Sequence, residues 1–184
     1  MVDRKGDWIA THSGKRFYPL DPHIDEIDIN DIAHSLSNQC RFAGHCVQFY
    51  SVAQHCVLVS QVCDQVDALF GLLHDASEAY LVDIPSPLKR MPEFEAYRNA
   101  EAHMMELICA RYKLPAGEPQ SVKFADKRML ATEARDLTMT EGRGWAMTHE
   151  PYDFHIKPWT PDYAKTKFIA RFHELLWEKD ANDL

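Results

Sequence analysis

No apolar run in the 184 residues approaches the ~18 needed to cross a bilayer. The opening MVDRKGDWIA lacks the apolar centre of a secretion signal. No CxxC occurs, and the five cysteines, Cys40, Cys46, Cys56, Cys63 and Cys109, are odd in number. That argues against a disulfide framework, and reduced, mostly buried thiols in a cytoplasmic protein are expected. Internal repeats and low-complexity segments are absent, which excludes solenoids and long linkers. An excess of positive charge is lacking too: 20 Lys and Arg face 28 Asp and Glu, for a net charge of −8. This argues against binding polymeric nucleic acid, which needs a basic face. A small anionic ligand is still compatible, because one cation and two or three basic side chains reverse the local field.

What is present is 46% hydrophobic and 26% charged, the make-up of a chain able to bury a core. The length suits a single domain spanning 1–184. No strand alternation could support a central sheet, and helical spacing dominates. A first helix is expected in DINDIAHSLSNQCRF, where Ile29, Ile32, Ala33 and Leu36 share a face. Ser51 with Gln54 three positions on is a capping-box pattern for a second helix over 51–63. A third is expected from about 67 to 81, stopped by Pro85 and Pro87. A long helix over 92–113 starts with Pro92 in its first turn, a fifth covers 120–138, and Thr160-Pro161 opens a last helix over about 161–179. Before them, SGK at 13–15 suggests a turn in a small N-terminal hairpin. The expected architecture is all-α, a bundle of about six helices.

The stretch GLLHDASEAYLVDIPSPLK, 71–89, begins as an apolar helix yet carries His74, Asp75, Glu78 and Asp83. On a helix, His74 and Glu78 stand at i and i+4 and share neighbouring surface with Asp75. Imidazole and carboxylate suit Mn, Fe, Co, Ni or Zn. Two ligands rarely hold a metal, so others must come from elsewhere. His55 lies at the edge of the buried face of the second helix. Asp126, in VKFADKRML, is an acid at the edge of an apolar helix face, where a charge needs a partner. Three helices offering imidazole or carboxylate from their inner edges can build a His2Asp2 site with positions left for water and substrate.

The set His55, His74-Asp75 and Asp126 resembles the H…HD…D pattern of the HD-domain metal-dependent phosphohydrolases. SVAQH, LLHDASEAYLVDIPSPLK and VKFADKRMLATEARDL resemble their short phage and bacterial members, among them YfbR-type 5′-deoxynucleotidases and dATP triphosphohydrolases, over roughly residues 17–178. The resemblance implies an HD-domain bundle with its motif region at about 28–140. It implies one divalent transition metal (Mn, Co, Ni, Fe or Zn) on His55, His74, Asp75 and Asp126, and hydrolysis of a deoxynucleotide at its 5′ phosphate. Monophosphate and triphosphate substrates both stay open. Glu78 and Asp83 match acidic positions that assist catalysis, without a division of roles; Asp83 also fits a plain turn cap before Ile84-Pro85. Arg41 and Phe42 match a basic-aromatic pair contacting phosphate and nucleoside, and Phe42 stands where some relatives have Trp. Lys89 and Lys123 resemble phosphate-binding lysines. Relatives assemble as dimers or larger rings, so a homo-oligomer is expected. Other readings kept open are hydrolysis of a cyclic dinucleotide or an alarmone, and a nucleotide-binding regulatory module without turnover.

Overall fold

A computed structural model describes residues 4–182; residues 1–3 and 183–184 lie outside it. A small hairpin opens the chain. Ile9–Ala10 (β1) pairs antiparallel with Arg16–Phe17 (β2), Ile9 opposite Phe17 and Ala10 opposite Arg16. The turn at SGK closes through Thr11 N–H to Lys15 O at 3.0 Å and Gly14 N–H to Thr11 O at 2.9 Å. Gly14 has φ +81°, a conformation glycine adopts without steric cost.

The remaining regular structure is helical: α1 (Ile29–Asn38), α2 (Val52–Val62), α3 (Ala68–Leu73), α4 (Glu78–Leu81), α5 (Ser86–Lys89), α6 (Glu95–Arg111), α7 (Gln120–Leu137) and α8 (Pro161–Asn182). None is long and apolar enough to cross a membrane among the described residues. Several contacts pin the hairpin to the bundle, among them the Lys15–Asp28 ion pair at 2.8 Å and the His12–His34 stack at 3.6 Å. Buried Phe17 stacks on Tyr80 at 4.0 Å between centroids, and Asp31 of α1 accepts from Ser13 N–H at 2.6 Å and Ser13 Oγ–H at 2.8 Å.

Helix starts follow local chemistry. Asp28 caps α1 by accepting from Asn30 N–H at 2.9 Å, and Ser51 caps α2 by accepting from Gln54 N–H at 3.1 Å. The second half of the expected capping box does not form. Gln54 instead donates to Lys157 O at 2.9 Å and accepts from Trp159 N–H at 2.8 Å, which ties the segment before α8 to α2.

Helix α2 is the hub. It packs against α1, α3, α7 and α8, and Val52, Ala53, Gln54, His55, Cys56, Val57, Val59 and Ser60 are all buried. A helix buried on nearly all sides has no solvent face, so its polar residues must find partners inside. Close approach of α3 to α2 depends on Gly71: a Cβ there would stand 2.9 Å from Cys63 Sγ and 3.2 Å from Ser60 Cα. One core cluster joins Ile32, Leu36, Val57, Leu72, Met104 and Phe168. The other gathers Tyr50, Val59, Phe70, Val122, Met129 and Ile156.

The continuous third helix expected over 67–81 is corrected. α3 ends at Leu73, four residues form turns, and α4 begins at Glu78. Through the break the bonds run i to i−3: Ala76 N–H to Leu73 O at 2.9 Å and Glu78 N–H to Asp75 O at 3.0 Å. The His74 side chain explains the change, since its Nδ1 bonds Gly71 O at 2.8 Å and takes the carbonyl that an α-helix would offer to residue 75. Pro87 is also not a stop signal, because it sits in the first turn of α5, where proline loses no hydrogen bond.

Candidate metal centre

Four side chains from three separate elements converge beside α2. His55 is fully buried on α2, His74 and Asp75 occupy the tightened turn after α3, and Asp126 lies on α7. The two imidazole Nε2 atoms are 3.2 Å apart. Asp75 Oδ2 lies 3.6 Å from His55 Nε2 and 3.4 Å from His74 Nε2. The ligand atoms of His55, His74 and Asp75 all fall within 4.8 Å of one another and could hold a metal ion. Asp126 joins from the side, Oδ1 at 3.3 Å from His55 Nε2.

The outer ring nitrogens decide what this cluster can accept. His55 Nδ1 is 2.6 Å from Glu133 Oε1, and His74 Nδ1 is 2.8 Å from Gly71 O. A carbonyl oxygen can only accept. Burial alone would raise the Glu133 carboxyl, but the charges of Arg41 and His55 hold it below its ordinary value, so it is ionised and accepts as well. Both Nδ1 atoms therefore carry hydrogen. Both Nε2 lone pairs then point at each other and at a carboxylate, an arrangement that repels itself unless a cation lies between them. Burial and Arg41 push the His55 imidazole down, but Glu133 and Asp126 outweigh them and bring it to about 9. Asp126 is correspondingly held low, against burial, by the hydrogen bond and charge of His55.

Glu133 was not singled out from sequence. It is fully buried and grips the site from behind, accepting from Arg41 Nη2 at 2.9 Å and Nε at 3.2 Å while its other oxygen holds His55. A signal existed: Glu133 stands seven residues after Asp126, two turns along the same face of α7. Its neighbours Ala131, Thr132 and Ala134 are also buried, so its charge required a cationic partner. Glu118 was missed too. Burial raises its carboxyl, and it lies close enough to feel His74, Asp126 and Lys123; nothing in its connector marks it.

Arg41 reaches the cluster, with Nη1 3.5 Å from Asp75 Oδ2. Phe42 follows it at φ 54°, and its ring lies 5.7 Å from the Arg41 guanidinium carbon. Glu78 is buried, and burial together with Asp75 and Asp83 pushes its carboxyl up to about 9, so it carries its proton at neutral pH. Asp83 and Lys89 pair with each other at 2.5 Å, and Lys89 also meets Glu101 at 2.9 Å. The lysine's charge is thus matched by two carboxylates at the rim. Lys123 is half-buried one turn before Asp126, 4.0 Å from Glu118.

Two curated proteins match along nearly their whole length. The chain is 46% identical over 171 residues to the uncharacterized protein YfdR of Escherichia coli strain K12, covering 91% of this chain and 95% of that protein. The chain belongs to the YfdR family. A second relative, the uncharacterized protein RCAP_rcc00048 of Rhodobacter capsulatus, is 33% identical over 194 residues, covering 94% of this chain and 97% of its own. No family model matches the chain.

Proposed function

We propose that this YfdR-family protein is a metal-dependent phosphohydrolase of the HD-domain type, acting on deoxynucleotides and releasing phosphate or a longer phosphate chain from the 5′ position. One observation carries the reading: two imidazoles with locked outer nitrogens and a carboxylate turn their lone pairs on one point, with an arginine beside them. The donor set, nitrogen with carboxylate oxygen, fits Mn, Fe, Co, Ni or Zn. His55, His74 and Asp75 would hold the ion, with Asp126 beside His55. A divalent ion bound there supplies a water acidified from ~16 toward ~7 and charge neutralisation at a phosphoryl oxygen.

The protein's own groups do the rest. Arg41 keeps its guanidinium at the cluster because Glu133 fixes Nε and Nη2, leaving Nη1 toward Asp75 and an incoming anion. A planar, pre-oriented donor of this kind stabilises charge on an equatorial phosphoryl oxygen. Glu78, buried and with its carboxyl raised by burial, Asp75 and Asp83, would give a proton to the departing oxygen. Asp83 raises the pKa of Glu78 by its charge and is itself held by Lys89. Lys123, one turn before Asp126 on α7, would bind the outer part of a longer phosphate chain. The five free thiols suit a reducing compartment, and the reading places the protein in the cytoplasm.

The test is to strip the protein with chelator, restore Mn, Co, Ni, Fe or Zn singly, and assay phosphate and triphosphate release. The panel holds the deoxynucleoside mono- and triphosphates and one cyclic dinucleotide. Metal-dependent release from the deoxynucleotides is expected, and H55A and D75A should each lose both metal and turnover. Metal binding with silence across the panel, or full activity in either variant, overturns the reading.

A further inference from the structure

Two aromatic side chains from distant parts of the sequence meet beside Arg41. Phe42 follows the arginine directly, and Trp145 comes from the segment between α7 and α8. Their ring centroids are 5.7 Å apart with planes inclined by 57°. The Arg41 guanidinium carbon is 5.7 Å from the Phe42 ring, and the same guanidinium faces Asp75. The aromatic pair therefore begins where the charged cluster ends. Trp145 is 43% exposed and belongs to neither core cluster. What sets Trp145 apart from other exposed apolar side chains is its place, against Phe42 and next to the arginine of the charged cluster.

The chain holds that position from both sides. Successive turns carry Trp145 away from α7: Glu141 N–H bonds Thr138 O at 3.1 Å, Arg143 N–H bonds Thr140 O at 2.9 Å, and Trp145 N–H bonds Gly142 O at 3.1 Å. Gly142, at φ +71°, lies so close to α7 that a Cβ would come within 3.1 Å of Ala134 Cβ. On the other side, Val47 N–H bonds Leu137 O at 2.9 Å, fastening the loop of Phe42 to the end of α7. Phe42, Ala43 and Gly44 run consecutively at φ 54°, 51° and 84°. Two non-glycine residues in the left-handed region persist only where surroundings hold them.

Resting on the phosphohydrolase reading, we propose that Trp145 and Phe42 form the wall against which the flat ring of the substrate stacks. Trp145 is then a specificity-determining residue that favours phosphate esters bearing an aromatic base over those without one. The phosphate lies toward Arg41 and the ring lies on the aromatic pair. Stacking of this kind tolerates every base, because each has a π face.

The experiment compares wild type, W145A and W145F in two assays. The first is binding of deoxynucleoside monophosphates in chelator, followed by tryptophan fluorescence and calorimetry. The second is metal-loaded hydrolysis of the same nucleotides and of deoxyribose 5-phosphate, which has no base. W145A should bind nucleotides roughly 5- to 150-fold more weakly, raise KM by a similar factor, and lose part of the fluorescence quench. W145F should recover most of the affinity, and deoxyribose 5-phosphate should be hydrolysed equally by all three. W145A binding and turning over nucleotides like wild type overturns the assignment of Trp145. So does an equal loss on the base-free ester, since a merely structural role would produce it. A wild type that binds nucleotides through Trp145 yet hydrolyses nothing overturns the phosphohydrolase reading and leaves the stacking wall in place.

Discussion

Replacing Glu133 with glutamine keeps the side-chain volume and removes one negative charge from a fully buried position. In the wild type the carboxylate serves His55 Nδ1 at 2.6 Å with one oxygen and Arg41 at 2.9 and 3.2 Å with the other. Glutamine has one oxygen and one NH2, so whichever way it turns, a donor meets a donor. Hydrogen bonds to charged groups are worth ~1.5–3 kcal/mol each, and deleting one partner of a buried ion pair costs ~3–5 kcal/mol. Because glutamine preserves one of the two sets of contacts, the loss should be about 2–4 kcal/mol in urea denaturation of the metal-free protein. Arg41 keeps its contact with Asp75, which limits the damage. The same substitution frees the His55 ring from the acceptor that orients it. Its Co or Mn affinity by calorimetry should fall roughly 10- to 100-fold, as it does when such outer carboxylates are removed from metal-bound histidines. A variant within about 0.5 kcal/mol of wild type, and with unchanged metal affinity, would show that Glu133 neither anchors the arginine nor sets the imidazole.

Two further outcomes follow from packing and charge. Gly71→Ala places a methyl 3.2 Å from the Ser60 backbone and 2.9 Å from Cys63 Sγ, so α2 and α3 must separate slightly; a loss of ~1–3 kcal/mol is expected, and a thermal midpoint matching wild type would refute close packing there. Asp136 would be raised by burial, but Arg135, Ile156 N–H and His155 lower it from an ordinary 3.8 to about 2. A depressed acid contributes stability that is complete above pH ~4 and disappears as the pH falls toward 2. Asp136→Asn should therefore flatten that acid limb in denaturation curves taken between pH 5 and 2, and superimposable limbs would exclude the contribution.

Much of the helical layout was readable in the residues because local signals agree: Ser51 caps α2, Pro161 begins α8, and apolar spacing marks α1. The break after Leu73 was not readable, because GLLHDASEAYL has unbroken helical spacing and the interruption comes from a side-chain bond of His74 to Gly71 O. His55 looked like a residue at the edge of a buried face. It is fully buried because α2 is enclosed from all sides, a fact of tertiary packing rather than of local pattern. Glu133 carried only a weak signal, its spacing of two turns from Asp126 on α7, which gains meaning once Arg41 arrives from far upstream in the sequence. The approach of Trp145 to Phe42 lies further still from local inference, since it spans irregular chain whose course no periodicity specifies.

Helix α7 acts as a common spindle. It presents Asp126 at one level, Glu133 two turns later, the Ala134 seat of Gly142 beside that, and at its end the Leu137 carbonyl that moors Val47. A single residue inserted between Asp126 and Glu133 would swing everything beyond it by about 100°, unseating cation ligand support, arginine and aromatic wall in one stroke. Residues 146–150 return to the same helix, where Arg128 donates to Glu150 O at 3.0 Å and Phe124 meets the His149 ring edge-on at 5.0 Å, so an insertion there would pull on the spindle as well.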